Sequence, residues 1–321
     1  MCDRWRGHTP RAPRSCWRMD VPGQAFWVAR RSPGLHFKLM SALTTGDVIG
    51  GAWRIVRPAL GDEPGSEFRV EPAEGGAPRR LTLWRALRAP TPTELECFEH
   101  HVRAGEGLES PCLPSVEAVG FDAARESLWA VRDWQRGGES LPSALGGLQP
   151  IGLDLPILHS LAEQLARTLA SAHAEGLVHG RLRPSRLLVA HTSSGMRLSL
   201  LDLGLETFRR EHGQDWLRPP QLGADYAAPE SGRPGPLSPA VDVFAFGLIV
   251  RDMLVTRKDG AWRGRWEPWV ERALAADPRE RFGDLPEALR ALRPVLRTLP
   301  DLPPPPPSNY DGEGTVIESF D

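Results

Sequence analysis

Residues Gly176–Gly204 read GLVHGRLRPSRLLVAHTSSGMRLSLLDLG, and the rest of the chain is organised around them. A helix precedes the stretch. Across Asp154–Glu175, Leu158, Leu161, Leu165, Leu169 and Ala172 fall on one stripe at helical spacing, with Asp154 placed to cap the start and Gly176 just past the end. A tight basic turn follows, then a short strand (Arg186–Ala190), a turn at Ser193-Ser194-Gly195 and a second strand (Leu198–Leu201). That second strand ends in Asp202-Leu203-Gly204.

N-terminal to this unit the signals are mostly strands. GDVIGGAWRIVRPALGDEPGSEFRVEP from Gly46 reads as two strands around a turn, and Arg80–Leu87 and Leu128–Asp133 read as further strands. A helix over about 92–104 lies between those last two, and Trp134-Gln135-Arg136-Gly137-Gly138 is a linker. C-terminal to the unit come an irregular segment (Leu205–Ala227) and helices over Ser238–Leu254 and Trp266–Ala276. His100 and His101 are adjacent, and adjacent residues on a helix do not face each other, so they are not read as a metal pair.

Bulk properties exclude several classes. A net charge of −2 over 321 residues gives no global case for nucleic acid. No apolar run approaches the roughly 18 residues of a membrane helix. Cys2, Cys16, Cys97 and Cys112 fit neither a disulfide framework nor a zinc knuckle, which points to a reducing cytoplasm. Two scarcities matter more: the only lysines are Lys38 and Lys258, and the only asparagine is Asn309.

The turn–strand–turn–strand unit ending in Asp-x-Gly resembles the catalytic and metal-binding loops of eukaryotic-type protein kinases, in the manner of bacterial Ser/Thr kinases. Their loop reads His-Arg-Asp-Leu-Lys-Pro-x-Asn and their strand ends in Asp-Phe-Gly. His179, Leu182 and Pro184 match, whereas Gly180 stands for the Arg, Arg181 for the Asp base, Arg183 for the Lys and Arg186 for the Asn. Further pieces follow in order: Tyr226-Ala227-Ala228-Pro229-Glu230, then VDVFAFG from Val241, then Asp277-Pro278-Arg279-Glu280-Arg281-Phe282. The resemblance covers about residues 46–295. It implies an α+β, bilobal fold with a small antiparallel β-rich N-lobe (about 46–133), a hinge (134–138) and a mainly helical C-lobe (139–298).

Laid on the family, the chain keeps frame positions and replaces chemical ones. The resemblance makes His179, Glu230, Asp242 and Arg281 structural, with Asp242 accepting backbone N–H groups from the catalytic loop and Arg281 pairing with Glu230. It also makes His173 structural. The lysine that should hold the α- and β-phosphates falls on Trp84 or Arg85, depending on register. Its partner on the following helix falls on His101, two residues past Glu99, and the residue at the back of the nucleotide slot is Arg132. Gly61 and Gly65 match the ends of the phosphate-covering loop, but the span between them is one residue short. It carries Asp62, Glu63 and Pro64, whose charges and missing N–H oppose phosphate. Asp202 alone remains as a metal and nucleotide ligand.

The expectation is therefore a pseudokinase, a regulatory or scaffolding module without an intact catalytic set and with no cofactor. The alternative is a divergent Ser/Thr kinase or nucleotidyl transferase using ATP and Mg²⁺, with Arg85 on phosphate. Residues 1–45 read as a basic leader, with eight Lys/Arg against two acids in 1–39. That leader is a disordered segment, translated sequence upstream of a start at Met40, or a basic arm for an acidic partner. Residues 299–321 form a Pro-rich, acidic tail built on Pro303–Pro307, suited to polyproline II, and Thr315 is a candidate phosphosite. The expected partner is a protein, either an active kinase or one that reads this tail.

Overall fold

A computed structural model describes residues 43–59, 66–147, 153–193, 195–213, 216–217, 224–255 and 263–299. The leader up to 42, the loop holding Gly61 and Gly65, and the tail from 300, including Thr315, lie outside the described residues.

The N-terminal half builds one six-stranded antiparallel sheet from β1 (Val48–Ile49), β2 (Trp53–Pro58), β3 (Glu67–Pro72), β4 (Arg79–Arg85), β5 (Val116–Asp122) and β6 (Ser127–Asp133), in the order β1-β2-β3-β4-β6-β5. Alternation along the strands sets two faces. Phe68 and Val70, Leu81 and Leu83, and Trp129 and Val131 point to one face and bury together with Ile49, Trp53 and Ile55. The intervening residues are Glu67 on β3, Arg80, Thr82 and Trp84 on β4, and Leu128, Ala130 and Arg132 on β6. On that second face Glu67, Arg80, Thr82 and Arg132 are all buried, although three of the four are charged. Charges are rarely buried unless paired, and with two arginines to one carboxylate this face cannot balance its charge within the sheet.

Part of the cover is α1 (Pro92–Val102), started by Thr91, whose hydroxyl accepts from the Glu94 amide while Glu94 reaches back to the Thr91 amide. Phe98 and Val102 of α1 pack against Leu128 and Ala130.

The C-terminal half is mainly helical. It contains β7 (Glu139–Ser140), α2 (Leu141–Gly147), α3 (Leu155–Ala174), and the hairpin β8 (Leu187–Thr192) and β9 (Gly195–Leu200). After these come α4 (Leu205–Glu211), α5 (Ala240–Val255), α6 (Arg263–Ala273) and α7 (Leu285–Arg297). The stripe on α3 is buried as its spacing predicts, with Leu158, Leu161, Leu165, Leu169 and Ala172 in the core. On α5 Val243, Phe246, Ile249 and Val250 join the same core, which suits a helix apolar on nearly every side.

One expectation is corrected. The segment after Gly204 is not irregular throughout: LETFRRE forms α4, held by Arg209 and Arg210 to Glu206 at i,i+3 and i,i+4 spacing. The helix escaped notice because seven residues carry too little periodicity to read. Phe208 of α4 is fully buried against Phe98 of α1, and Trp216 and Leu217 fill the same cluster. Leu217 also forms a bridge to Ala86 beyond the end of β4. The segment is thus part of the hydrophobic core.

Candidate functional site

The cleft between the sheet and the β8–β9 hairpin holds a buried network of charged side chains. Arg80 on β4 donates to the Glu67 carboxylate on β3. Across the cleft, Nη1 of Arg186 lies 2.7 Å from Glu67 Oε1 and 3.2 Å from Asp202 Oδ2. Arg132 on β6 approaches Asp202 Oδ1 at 3.5 Å. One guanidinium therefore touches a carboxylate from each half of the molecule, 119 residues apart in the case of Glu67.

Aromatic rings close the sides. Arg132 lies over Trp84 at 5.4 Å and Arg80 over the linker residue Trp134 at 5.1 Å. Of the two candidates for the phosphate-holding lysine position, Trp84 shares a strand face with Arg80 and Thr82 and meets Phe98 edge-on at 5.5 Å. Arg85 projects from the opposite face. His101 is not in the cleft; it packs on Phe208 at 5.6 Å. Glu99 pairs with Arg103 at 2.9 Å on the same helix.

These charges tune one another. Burial alone would raise the Asp202 carboxyl, but Arg186 and then Arg132 outweigh it and hold the group below the usual carboxylate range. Burial pushes Arg132 below its ordinary value, with Asp202 and Glu67 pulling the other way. Asp202 is also left-handed at φ 65°, a conformation Asp tolerates better than most residues.

The frame around the cleft is tied together by hydrogen bonds to Asp242, His179 and Arg281. Asp242, at 0 % exposure, accepts from the backbone amides of His179 (2.8 Å) and Gly180 (2.9 Å) and pairs with His173 Nε2 at 2.9 Å. The buried His179 ring donates from Nε2 to Leu201 O at 3.0 Å and accepts the Arg181 amide on Nδ1 at 3.3 Å. This pattern defines the neutral tautomer, and burial moves its pKa below the ordinary imidazole value. Gly180 is left-handed (φ 71°), and a Cβ there would come within 2.4 Å of the Leu237 side-chain methyl, so an arginine at this position would be strained and would have to move Leu237. Gly204 (φ 85°) lets the chain pass α1 where a Cβ would meet His101 O at 2.4 Å, and α4 starts there. Arg281 grips Glu230 with two guanidinium nitrogens at 2.6 and 2.8 Å and also donates to Ala240 O and Ala275 O.

Arg181, at the family's base position, is partly buried and its pKa is lowered by that burial, with Glu206 the main opposing charge. Glu67 and Arg80 escaped sequence reasoning. Each sits in a strand with no motif, and only the alternation that places both on the inner face offers a signal.

No family model matches the chain. It is 31% identical over 157 residues to the Ser/Thr-protein kinase PkaA of Streptomyces coelicolor, across 49% of this chain and 28% of that one. It is 24% identical over 216 residues to the Ser/Thr-protein kinase pkn2 of Myxococcus xanthus, across 65% of this chain and 25% of that one. The chain thus spans little more than a quarter of the length of these curated relatives. Among solved structures, the PknI kinase domain of Mycobacterium tuberculosis superposes with a TM-score of 0.62 at 19% identity, covering 79% of this chain and 99% of that domain.

The fold is that of a protein kinase, bilobal and α+β. Its sequence relatives are Ser/Thr protein kinases, and the chain is similar in sequence to the bacterial kind.

Proposed function

We propose that this chain is a pseudokinase, a protein-kinase-like module that acts by binding rather than by phosphoryl transfer. One observation carries the reading: the cation paired with Asp202 is Arg186, a side chain of the protein itself. In the family that carboxylate holds Mg²⁺ bridging the phosphates of ATP, and an Asn at the Arg186 position holds the second ion. Here Arg186 pairs with one carboxylate oxygen, Arg132 lies 3.5 Å from the other without a hydrogen bond to it, and Glu67 anchors Arg186 from the other lobe. The residues of the cleft do not fit ATP–Mg²⁺. Admitting a metal at Asp202 requires displacing a guanidinium held between two buried carboxylates. Indole at Trp84 offers no phosphate partner, and Arg181 cannot take a proton from a hydroxyl.

The names of the curated relatives favour the second reading, a divergent Ser/Thr kinase or nucleotidyl transferase, with Arg85 as the phosphate ligand. Against it stands the placement of Arg85 on the face of β4 away from Asp202. Under the first reading the chain works in the cytoplasm on a protein partner, an active kinase or a reader of the Pro-rich tail. Among the described residues no helix is long and apolar enough to cross a membrane. The test is transfer from radiolabelled ATP to the chain itself and to a generic protein substrate, for wild type and Asp202→Ala. Background signal in both supports the pseudokinase, and transfer lost only in Asp202→Ala refutes it.

A further inference from the structure

His101 on α1 and Glu211 and His212 at the end of α4 bring one ligand atom each within 4.8 Å of one another. Both histidines lie 3.8 Å from the same Glu211 oxygen through their Nε2 atoms. Neighbours in sequence such as Glu211 and His212 point apart on a regular helix. Here His212 has left the helix (φ −130°, ψ −19°), which turns its ring back beside Glu211. His101 is also prepared: its Nδ1–H donates to Cys97 O at 2.8 Å, which leaves the Nε2 lone pair pointing at the other two groups. A backbone carbonyl fixing one ring nitrogen is the outer-shell arrangement of metal-binding histidines. Phe208 packs against both rings, at 5.6 and 6.0 Å, and limits where each can turn.

We propose that His101, Glu211 and His212 bind a divalent cation of the zinc class and thereby clamp α4 to α1. Two imidazoles and a carboxylate are a recognised zinc donor set, with a fourth position left for water. Bonds of about 2.0–2.2 Å put tetrahedral ligand atoms roughly 3.4 Å apart, so the two 3.8 Å contacts must shorten, and the two histidine nitrogens, within 4.8 Å of each other, must close by up to about an ångström and a half. Glu211 and His212 are 55% and 41% exposed, so they have the freedom to do so, while His101, at 15%, supplies the fixed point. The clamp would secure the segment that follows Asp202-Leu203-Gly204, and it is independent of whether the cleft takes ATP. Mg²⁺, which prefers oxygen ligands in an octahedron, should not compete.

The test uses the full chain stripped with a chelator and then titrated with Co²⁺ under visible spectroscopy, followed by displacement with Zn²⁺. Wild type should take up one equivalent with the intense bands of a four- or five-coordinate site and should melt higher with Zn²⁺. His212→Ala and Glu211→Gln, both surface changes that leave the fold intact by far-UV circular dichroism, should each bind at least tenfold more weakly and lose most of the Zn²⁺-dependent rise in Tm. Absence of a wild-type Co²⁺ band overturns the proposal, leaving His101, Glu211 and His212 as neighbours that bind no metal. Equal affinity in wild type and both variants overturns it too, because the metal then sits elsewhere on the chain.

Discussion

Truncating Glu67 should destabilise the protein far more than its lack of any motif suggests. Among the described residues Glu67 is the only ion-pair partner of Arg80, which is 3% exposed, and with Asp202 it holds Arg186. Glu67→Ala leaves Arg80 buried without its carboxylate, and takes from Arg186 its 2.7 Å contact. Removing one half of a buried pair costs about 3–5 kcal/mol. At roughly 2–4 °C per kcal/mol for a domain of this size, Tm falls by about 6–20 °C. The control is Arg167→Ala, which breaks a 2.6 Å helical pair with Glu163 in which the arginine is 73% exposed and which is worth about 0.3–0.5 kcal/mol. Urea unfolding followed by circular dichroism gives both numbers from the midpoint and slope. A third variant separates lost packing from stranded charge. Glu67→Met with Arg80→Met removes both partners while keeping volume, and Arg186 retains Asp202, so part of the loss should return. The reasoning fails if Glu67→Ala lies within about 0.5 kcal/mol of Arg167→Ala, a gap typical of neutral surface changes.

Three further outcomes follow from the frame and the site. Arg281, whose side chain is fully buried on Glu230, should cost about 3–5 kcal/mol on Arg281→Ala, and Arg181→Ala clearly less; equal losses in urea unfolding would undo the division into frame and lost chemistry. His179 stays neutral in the fold while an unfolded imidazole takes a proton near pH 6.5. Below that pH the unfolded state therefore binds more protons, and this group alone lowers stability as pH falls, by up to about 1.4 kcal/mol per pH unit. The Asp202 contribution is unaffected there, since its depressed pKa is lost only in stronger acid. A His179 ring resonance that titrates near 6.5 in the folded protein would contradict this. Restoring the family base by Arg181→Asp, alone or with Arg186→Asn, should give no ATP-dependent transfer, because a base helps only when phosphate is already held and Trp84 still stands at the lysine position. Transfer in either variant would mean that the sheet retains a phosphate grip.

The frame was legible in the sequence because its residues carry their own signatures at fixed spacing. His179 with Pro184, Asp202 with Gly204, Glu230 after Ala228-Pro229, and Arg281 after Asp277-Pro278 each sit in a short recognisable stretch. The α3 stripe was legible for the simpler reason that twenty residues repeat at 3.6. The replaced positions were readable as replacements, but not what replaced them. That Arg186 would turn toward Glu67 depends on two strands and a lobe closure, and nothing in EFRVEP marks Glu67 as inward-facing until its neighbours Phe68 and Val70 are known to fill the other face. The same applies to α4. Its burial rests on Phe208 and Trp216 meeting α1, a contact between segments about a hundred residues apart.

The central claim, that Arg186 and its partners occupy the role of nucleotide and metal, is tested most directly by equilibrium binding of ATP to the wild-type chain with and without Mg²⁺, read by calorimetry and by thermal shift. The account predicts no saturable heat and no rise in Tm in either condition. Saturable, Mg²⁺-dependent binding that is abolished by Asp202→Ala would contradict it, because Asp202 would then be giving up Arg186 and Arg132 to hold a metal.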